Sequence, residues 1–261
     1  MYETLQLETR GEIAYLTFNR PEKRNAISTQ MLLELDVALD AIETSSARVA
    51  IVTGAGKAFC AGMDLEMLAA IAKQSAEENL LDSRRMAHMF RRLWSFTTPL
   101  IAAVNGAALA GGCGIATLCD FTLAAADAKF GYTEVKIGFL PAVVSVFLTR
   151  QIGEKRARDL LLSGRIIGAG EAQELGMVTE VVEPGRLQER AQEIAEVLVA
   201  ASPNSLARTK RLLVSSAAAG VDADLERAVL ENAEIRSTPD FKEGLASFLE
   251  KRKPIWSGDS R

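Results

Sequence analysis

The segment Pro99–Ala142, PLIAAVNGAALAGGCGIATLCDFTLAAADAKFGYTEVKIGFLPA, constrains this chain more than any other. An apolar run, Leu100 to Val104, is cut by Asn105-Gly106. The turn Gly111-Gly112-Cys113-Gly114 then opens a helix of small residues, expected to follow Gly114. Glycines let backbone N–H groups approach a bound oxygen closely, and a helix N-terminus favours negative charge there. Twenty residues after that turn a lone carboxylate, Glu134, stands among Phe130, Tyr132 and Val135. A glutamate close to such a turn is placed to move protons. The combination suits a site that stabilises an oxyanion, such as the one formed when a thioester becomes an enolate.

The rest of the chain reads as strand, glycine-bearing loop and helix in succession, an α/β pattern. Ile13 to Asn19 alternates, with Ala14, Leu16 and Phe18 on one face, and Arg20-Pro21 ends it. Ser28 is a helix cap ahead of an apolar stripe formed by Met31, Leu32, Leu35, Ala38, Leu39 and Ile42. Arg48 to Thr53 is a second strand, ending at Gly54-Ala55-Gly56, with a helix from about Asp64. Leu100 to Val104 and Phe121 to Ala125 are further strands, and Lys73 to Phe96 reads as a polar helix. After about Ser202 the pattern is purely helical. Ser202-Pro203 and Thr238-Pro239 each place a cap before a first-turn proline, and Leu225, Ala228, Val229, Asn232 and Ala233 keep helical spacing. The chain therefore divides into a core, residues 1–200, and a helical part, residues 201–261, too small to bury much area alone. These last helices are expected to pack on the core or on a neighbouring subunit.

With 261 residues, 48% of them hydrophobic, the chain can bury a substantial core. A net charge of −4 argues against nucleic acid as the partner. Cys60, Cys113 and Cys119 are odd in number and lack metal-ligand spacing, so they are expected to be reduced thiols of a cytoplasmic protein. A single histidine leaves no basis for a protein-bound metal. Neither a secretory leader nor a membrane-spanning apolar stretch is read in the sequence.

Five segments, taken together and in order, resemble the crotonase family, the enoyl-CoA hydratase/isomerase superfamily. They are Asn19-Arg20-Pro21 with Asn25-Ala26, GAGKAFCAGMDL (54–65), AAVNGAALAGGCG (102–114), KFGYTEVKIGFLPA (129–142) and FLEKRKPIW (248–256). The resemblance covers nearly the whole chain. It implies a spiral core of repeated ββα turns carrying the active site, with a C-terminal helical trimerisation region. A homotrimer or hexamer and an acyl-CoA substrate are implied with it. Coenzyme A would be part of the substrate, so no separate cofactor is expected.

The same resemblance assigns roles. The backbone N–H groups of Met63 and Gly111 would hold the thioester oxygen, and Glu134 would be the acid/base. Desolvation of Glu134 should raise its pKa toward a range useful for proton transfer. Coenzyme A contacts are expected from Lys23, Arg24, Ala26 and Lys57, from the backbone of Ala61, Asp64 and Leu65, and from Phe248 and Lys251 near the C-terminus. Asp64 should also orient its own loop by accepting N–H bonds. His88 is a bystander unless its helix walls the acyl pocket. Core filling is expected of most of Phe139, Leu140, Val143, Val144 and Phe147.

One departure matters. Hydratases of the family carry a second glutamate immediately after the glycine turn, where this chain has Gly114. One carboxylate suits a 3-enoyl to 2-enoyl isomerase, which lifts a proton from one carbon and returns it to another. Resemblance along the whole chain, and GYTEVKIGFLPAVVS in particular, favours hydration of 2-enoyl-CoA. A lone glutamate can deprotonate water and hand the same proton to the enolate. A non-catalytic acyl-CoA binder is the third alternative. On this view Gly114→Glu is expected to raise hydratase activity.

Overall fold

The computed structural model describes residues 2–183 and 185–258. β1 (Leu5–Arg10) and β2 (Ile13–Phe18) form an antiparallel hairpin across Gly11. The Ser28 hydroxyl accepts from the Met31 N–H and caps α1 (Thr29–Thr44), whose apolar stripe is buried as its spacing requires.

From here one unit repeats. A long strand, β3 (Val49–Gly54), turns into a short one, β4 (Ala58–Cys60), then into α2 (Leu65–Ile71) and α3 (Ala76–Ser95). β5 (Leu100–Val104), β6 (Ala107–Leu109) and α4 (Gly111–Leu118) follow the same course. So do β7 (Phe121–Ala125), β8 (Lys129–Gly131), a 3-10 turn over Glu134–Ile137, and α5 (Ala142–Ile152). Next come α6 (Glu154–Ser163), β9 (Ile166–Gly168), α7 (Ala169–Glu174), β10 (Glu180–Val182) and α8 (Leu187–Ala200). The chain ends in α9 (Pro203–Ala217), α10 (Val221–Ile235) and α11 (Pro239–Leu249).

The long strands, with the three-residue β10 at one edge, align in a six-stranded sheet, β1-β2-β3-β5-β7-β10, parallel except for the first hairpin. The short strands form a second sheet, β4-β6-β8-β9. Each repeat thus contributes one strand to each sheet, which is an α/β spiral of ββα turns. The central strands β3 and β5 are apolar on both faces because both faces are covered, whereas the edge strand β1 is largely polar and exposed. Ala50 and Val52 of β3 point into the main core, while Val49 and Ile51 meet Leu187, Ala191 and Ala195 of α8.

The last helices close the structure over the site. α10 packs across α3 and α5, and α11 packs on the 3-10 turn that begins at Glu134. Val221, Leu225, Val229, Phe241 and Leu245 join the same core as the strands before them. Lys210 of α9 is tied down by Asp120 Oδ2 at 2.5 Å, and the same oxygen accepts the Leu100 N–H at 2.7 Å. Among the described residues no helix is long and apolar enough to cross a membrane.

The expected helix after Gly114 begins earlier, at Gly111. Ala110 donates its N–H to Gly131 O, as the neighbouring strand requires, and then takes φ 50°, ψ −126°. That sharp reversal brings the chain into helical geometry at the first glycine rather than the last.

Candidate active site

The oxyanion loops are built by backbone pairing. Ile27 bridges Met63 in parallel, with the Ile27 N–H donating to Gly62 O at 2.7 Å and the Asp64 N–H donating to Ile27 O at 2.9 Å. In a parallel bridge the two bonds flank the central residue, so the Met63 N–H points to the opposite side. Gly62 makes this possible at φ 93°, with only 2.9 Å between an added Cβ and Ala110 Cβ. The Gly111 N–H is at the first position of α4, where no intrahelical acceptor exists. Neither amide donates a hydrogen bond to the described residues. Both residues line one cavity of about 170 Å³.

Glu134 lines the same cavity from another element. The strand β8 ends at Gly131, and Thr133 begins the 3-10 turn that carries the carboxylate. Gly138 closes the turn at φ 66°, where α11 approaches so closely that a Cβ would meet Asp240 O at 2.3 Å. Glu134 is buried, 9% exposed, and its Oε2 has no hydrogen-bond partner. Burial pushes its carboxyl up to about 7, against a smaller opposing pull from its own backbone. It is the only ionisable side chain among the described residues lining the cavity. The remaining wall is apolar apart from Thr133 and Asn232. A buried, unpaired carboxylate near neutrality, lining the same apolar cleft as two free amides, can move a proton beside a developing oxyanion.

The three cysteines are free and buried, and burial pushes each thiol up to about 12, so none is a nucleophile near neutral pH. Among the described residues no group of three or more metal-ligating side chains comes together.

Of the residues singled out from the sequence, Met63, Gly111, Glu134, Ala61, Leu65 and Phe248 meet around this cavity. Lys23, Arg24, Ala26, Lys57, Asp64 and Lys251 are not part of its lining. Lys23 pairs with Glu66 at 2.8 Å on the surface, and Arg24 takes φ 51° and accepts the Ala61 N–H at 3.0 Å. The amides of Ala61 and Asp64 are thus already used inside the protein, which leaves only their other groups for a ligand. Asp64 does order its loop: its Oδ1 accepts the Glu66 N–H at 2.8 Å and caps α2, and its Oδ2 pairs with Arg20 at 2.8 Å. Burial alone would raise its pKa, but these partners hold it below the ordinary value.

Two expectations are corrected, and His88 stays outside the cavity as expected of a bystander. Most of Phe139, Leu140, Val143, Val144 and Phe147 do more than fill core, because all but Phe147 line the cavity. Phe147 instead packs on Trp94. His88 faces a separate surface depression with Arg84, Arg91 and Glu226. The wall contributed by α3 is Met86 and Phe90, whose i, i+4 spacing puts them on one face and His88 off it. Finally, the space beside Gly114 is not vacant for a carboxylate. A Cβ there would lie 2.5 Å from Phe90 Cε1 and 2.7 Å from Val144 Cγ1, so Gly114→Glu cannot simply restore a second acid.

The family model described as enoyl-CoA hydratase/isomerase matches residues 8–259. The chain belongs to the enoyl-CoA hydratase/isomerase family. A Thermus thermophilus protein is 44% identical over 94% of this chain and 97% of its own length. The crotonyl-CoA hydratase of Syntrophomonas wolfei is 37% identical over 97% of each chain. The crystal structure of an enoyl-CoA hydratase/isomerase from Xanthobacter autotrophicus Py2 superposes with a TM-score of 0.89 at 33% identity, covering 97% of this chain and 98% of that one. This family member therefore has the crotonase fold expected from its motifs, with a helical C-terminal region.

Proposed function

We propose that this enzyme reversibly hydrates 2-enoyl-CoA thioesters, with Glu134 as its single acid/base. The observation that carries the reading is the unpaired, buried carboxylate sharing a cavity with the free amides of Met63 and Gly111. The thioester oxygen accepts both N–H groups. Glu134 takes a proton from water as the water oxygen bonds to C3, and the electron pair of the C2–C3 double bond moves onto the thioester as an enolate. Glu134 then returns its proton to C2. A pKa near 7 lets one group act as base and then as acid. Each amide donor is worth roughly 3 kcal/mol at the transition state. The hydratase names of relatives such as the Syntrophomonas wolfei protein support the same direction.

A second reading, conversion of 3-enoyl-CoA to 2-enoyl-CoA, is favoured by one observation. Phe90 and Val144 occupy the space where a second acid would stand, and isomerisation needs only one. Loss of the enoyl absorbance of crotonyl-CoA in water tests hydration. Appearance of a conjugated product from a 3-enoyl-CoA tests isomerisation. Absence of both, with coenzyme A thioesters still bound, would leave only a binding protein.

The acyl-CoA nucleotide is proposed to lie beyond the cavity mouth near Lys23, Arg24, Ala26, Lys57 and Lys251. Assembly as a homotrimer or hexamer through the helical part, residues 201–261, is proposed on the exposed Leu212, Leu213, Leu230 and Leu249, and light scattering would measure it.

A further inference from the structure

The far wall of the cavity carries a polar group that proton transfer does not use. Asn232, on α10, is 8% exposed and lines the cavity with Phe139, Leu140 and Met86. Its Oδ1 accepts from Arg236 Nη2 at 2.8 Å. A guanidinium has donors only, so the amide oxygen must face Arg236 and the NH2 must face away. Among the described residues that NH2 has no partner, and Asn232 shares a largely apolar cavity wall with Thr133 and Glu134 as its other polar residues.

Arg236 stands directly behind it, 1% exposed. Its Nη1 donates to Asp82 Oδ2 at 2.9 Å and to Asn79 Oδ1 at 3.2 Å, and its Nε is buried without an acceptor. Its guanidinium carbon lies 5.9 Å from the ring centre of Phe139, which itself lines the cavity. Among the described residues Asp82 is the only carboxylate in ion-pair contact with Arg236, and it is shared with Arg85 at 3.9 Å. The positive charge behind Asn232 is therefore incompletely neutralised, in a place with little water to screen it. An alkyl chain entering this end would strip water from the Asn232 NH2 and offer nothing in return. Glu134, the only acid on the cavity wall among the described residues, belongs to the reacting end, so a second anion is favoured only here.

We infer that the cavity selects acyl-CoA thioesters whose acyl group ends in a carboxylate, held by the Asn232 NH2 with the Arg236 charge behind it; this rests on the acyl-CoA reading given above. The carboxylate accepts from Asn232, and the apolar middle of the acyl chain runs between Phe139, Leu140, Met86 and Phe90.

Calorimetric binding of saturated thioesters tests the selectivity without requiring turnover. Hexanoyl-CoA is compared with adipoyl-CoA, and octanoyl-CoA with suberoyl-CoA. The wild-type protein is expected to bind the carboxylated member of at least one pair roughly tenfold more tightly, as befits a site built to satisfy a polar group. Asn232→Asp keeps the acceptor for Arg236, removes the donor and adds a like charge, and it is expected to reverse that preference. Asn232→Leu is the second variant and should bring the ratio close to unity; retained affinity for hexanoyl-CoA certifies its fold. Equal or tighter wild-type binding of the alkyl members in both pairs overturns the inference, as does an Asn232→Asp ratio unchanged from wild type. A protein that binds these thioesters but neither hydrates nor isomerises any enoyl-CoA refutes the proposed reaction and leaves the ratio readable. One that binds no acyl-CoA overturns both.

Discussion

Replacing Glu134 by glutamine should abolish turnover and stabilise the fold, and the stabilisation should depend on pH in a calculable way. In the folded protein burial raises the Glu134 carboxyl from 4.5 to about 7, while in the unfolded chain it returns to its ordinary value. The folded state therefore holds a proton that the unfolded state has lost between these two values. With the folded pKa the higher one, the contribution of the protonated group to stability is complete below pH 4.5, declines as pH rises, and is gone above pH 7. At about 1.4 kcal/mol per pKa unit, the loss is about 3 kcal/mol. Glutamine does not titrate, so the variant escapes it. Urea unfolding of wild type and Glu134→Gln at a series of pH values from 4.5 to 8.5 measures the difference directly. The two proteins should converge at the acid end, up to a constant for the amide itself. The variant should gain about 3 kcal/mol relative to wild type by pH 8, a large part of the 5–15 kcal/mol typical of a domain. A difference that stays flat across the range would falsify the claim that Glu134 is held in an unpaired, desolvated environment. A difference of opposite slope would mean that the carboxylate is stabilised by a partner when charged.

Three further outcomes follow from the same geometry. The kcat/KM for hydration should rise with pH and level off above about 7, since the ionised Glu134 takes the first proton, and a pH–rate profile checks the midpoint. Gly114→Ala should cost about 1–3 kcal/mol of stability and lower kcat/KM, because its Cβ must displace Phe90 or Val144, both of which line the cavity. Restoration by Phe90→Leu in the Gly114→Ala background, in both urea midpoint and rate, is the check, and no restoration would show that the steric account is wrong. Ala110→Gly should raise stability by about 1 kcal/mol, because alanine at φ 50°, ψ −126° is strained where glycine is not, and thermal unfolding reads the change.

The parts of this site that are legible in the sequence are those set by local backbone chemistry. Gly62 beside Met63, the Gly111-Gly112 turn and the long apolar strands announce themselves because a turn, a close approach or a two-sided core admits few residue types. The short strands β4, β6, β8 and β9 carry almost no period-two signal of their own, since three residues are too few to show alternation. The residues that shape the cavity are harder still to foresee. Phe90 and Val144 lie 24 and 30 residues from Gly114, and nothing near the glycine reveals that they fill its empty side. Asn232 did leave a trace: it is the one polar residue in the stripe Leu225, Ala228, Val229, Asn232 of α10. Within an apolar stripe a polar residue must either be satisfied internally or face something that satisfies it. Arg236, one turn further on at the C-cap of the same helix, takes the oxygen of its amide and leaves the NH2 for the cavity. The division of labour follows from this asymmetry. Glycines and backbone amides fix where the thioester oxygen is held, and side chains gathered from distant helices decide what can occupy the space beyond it.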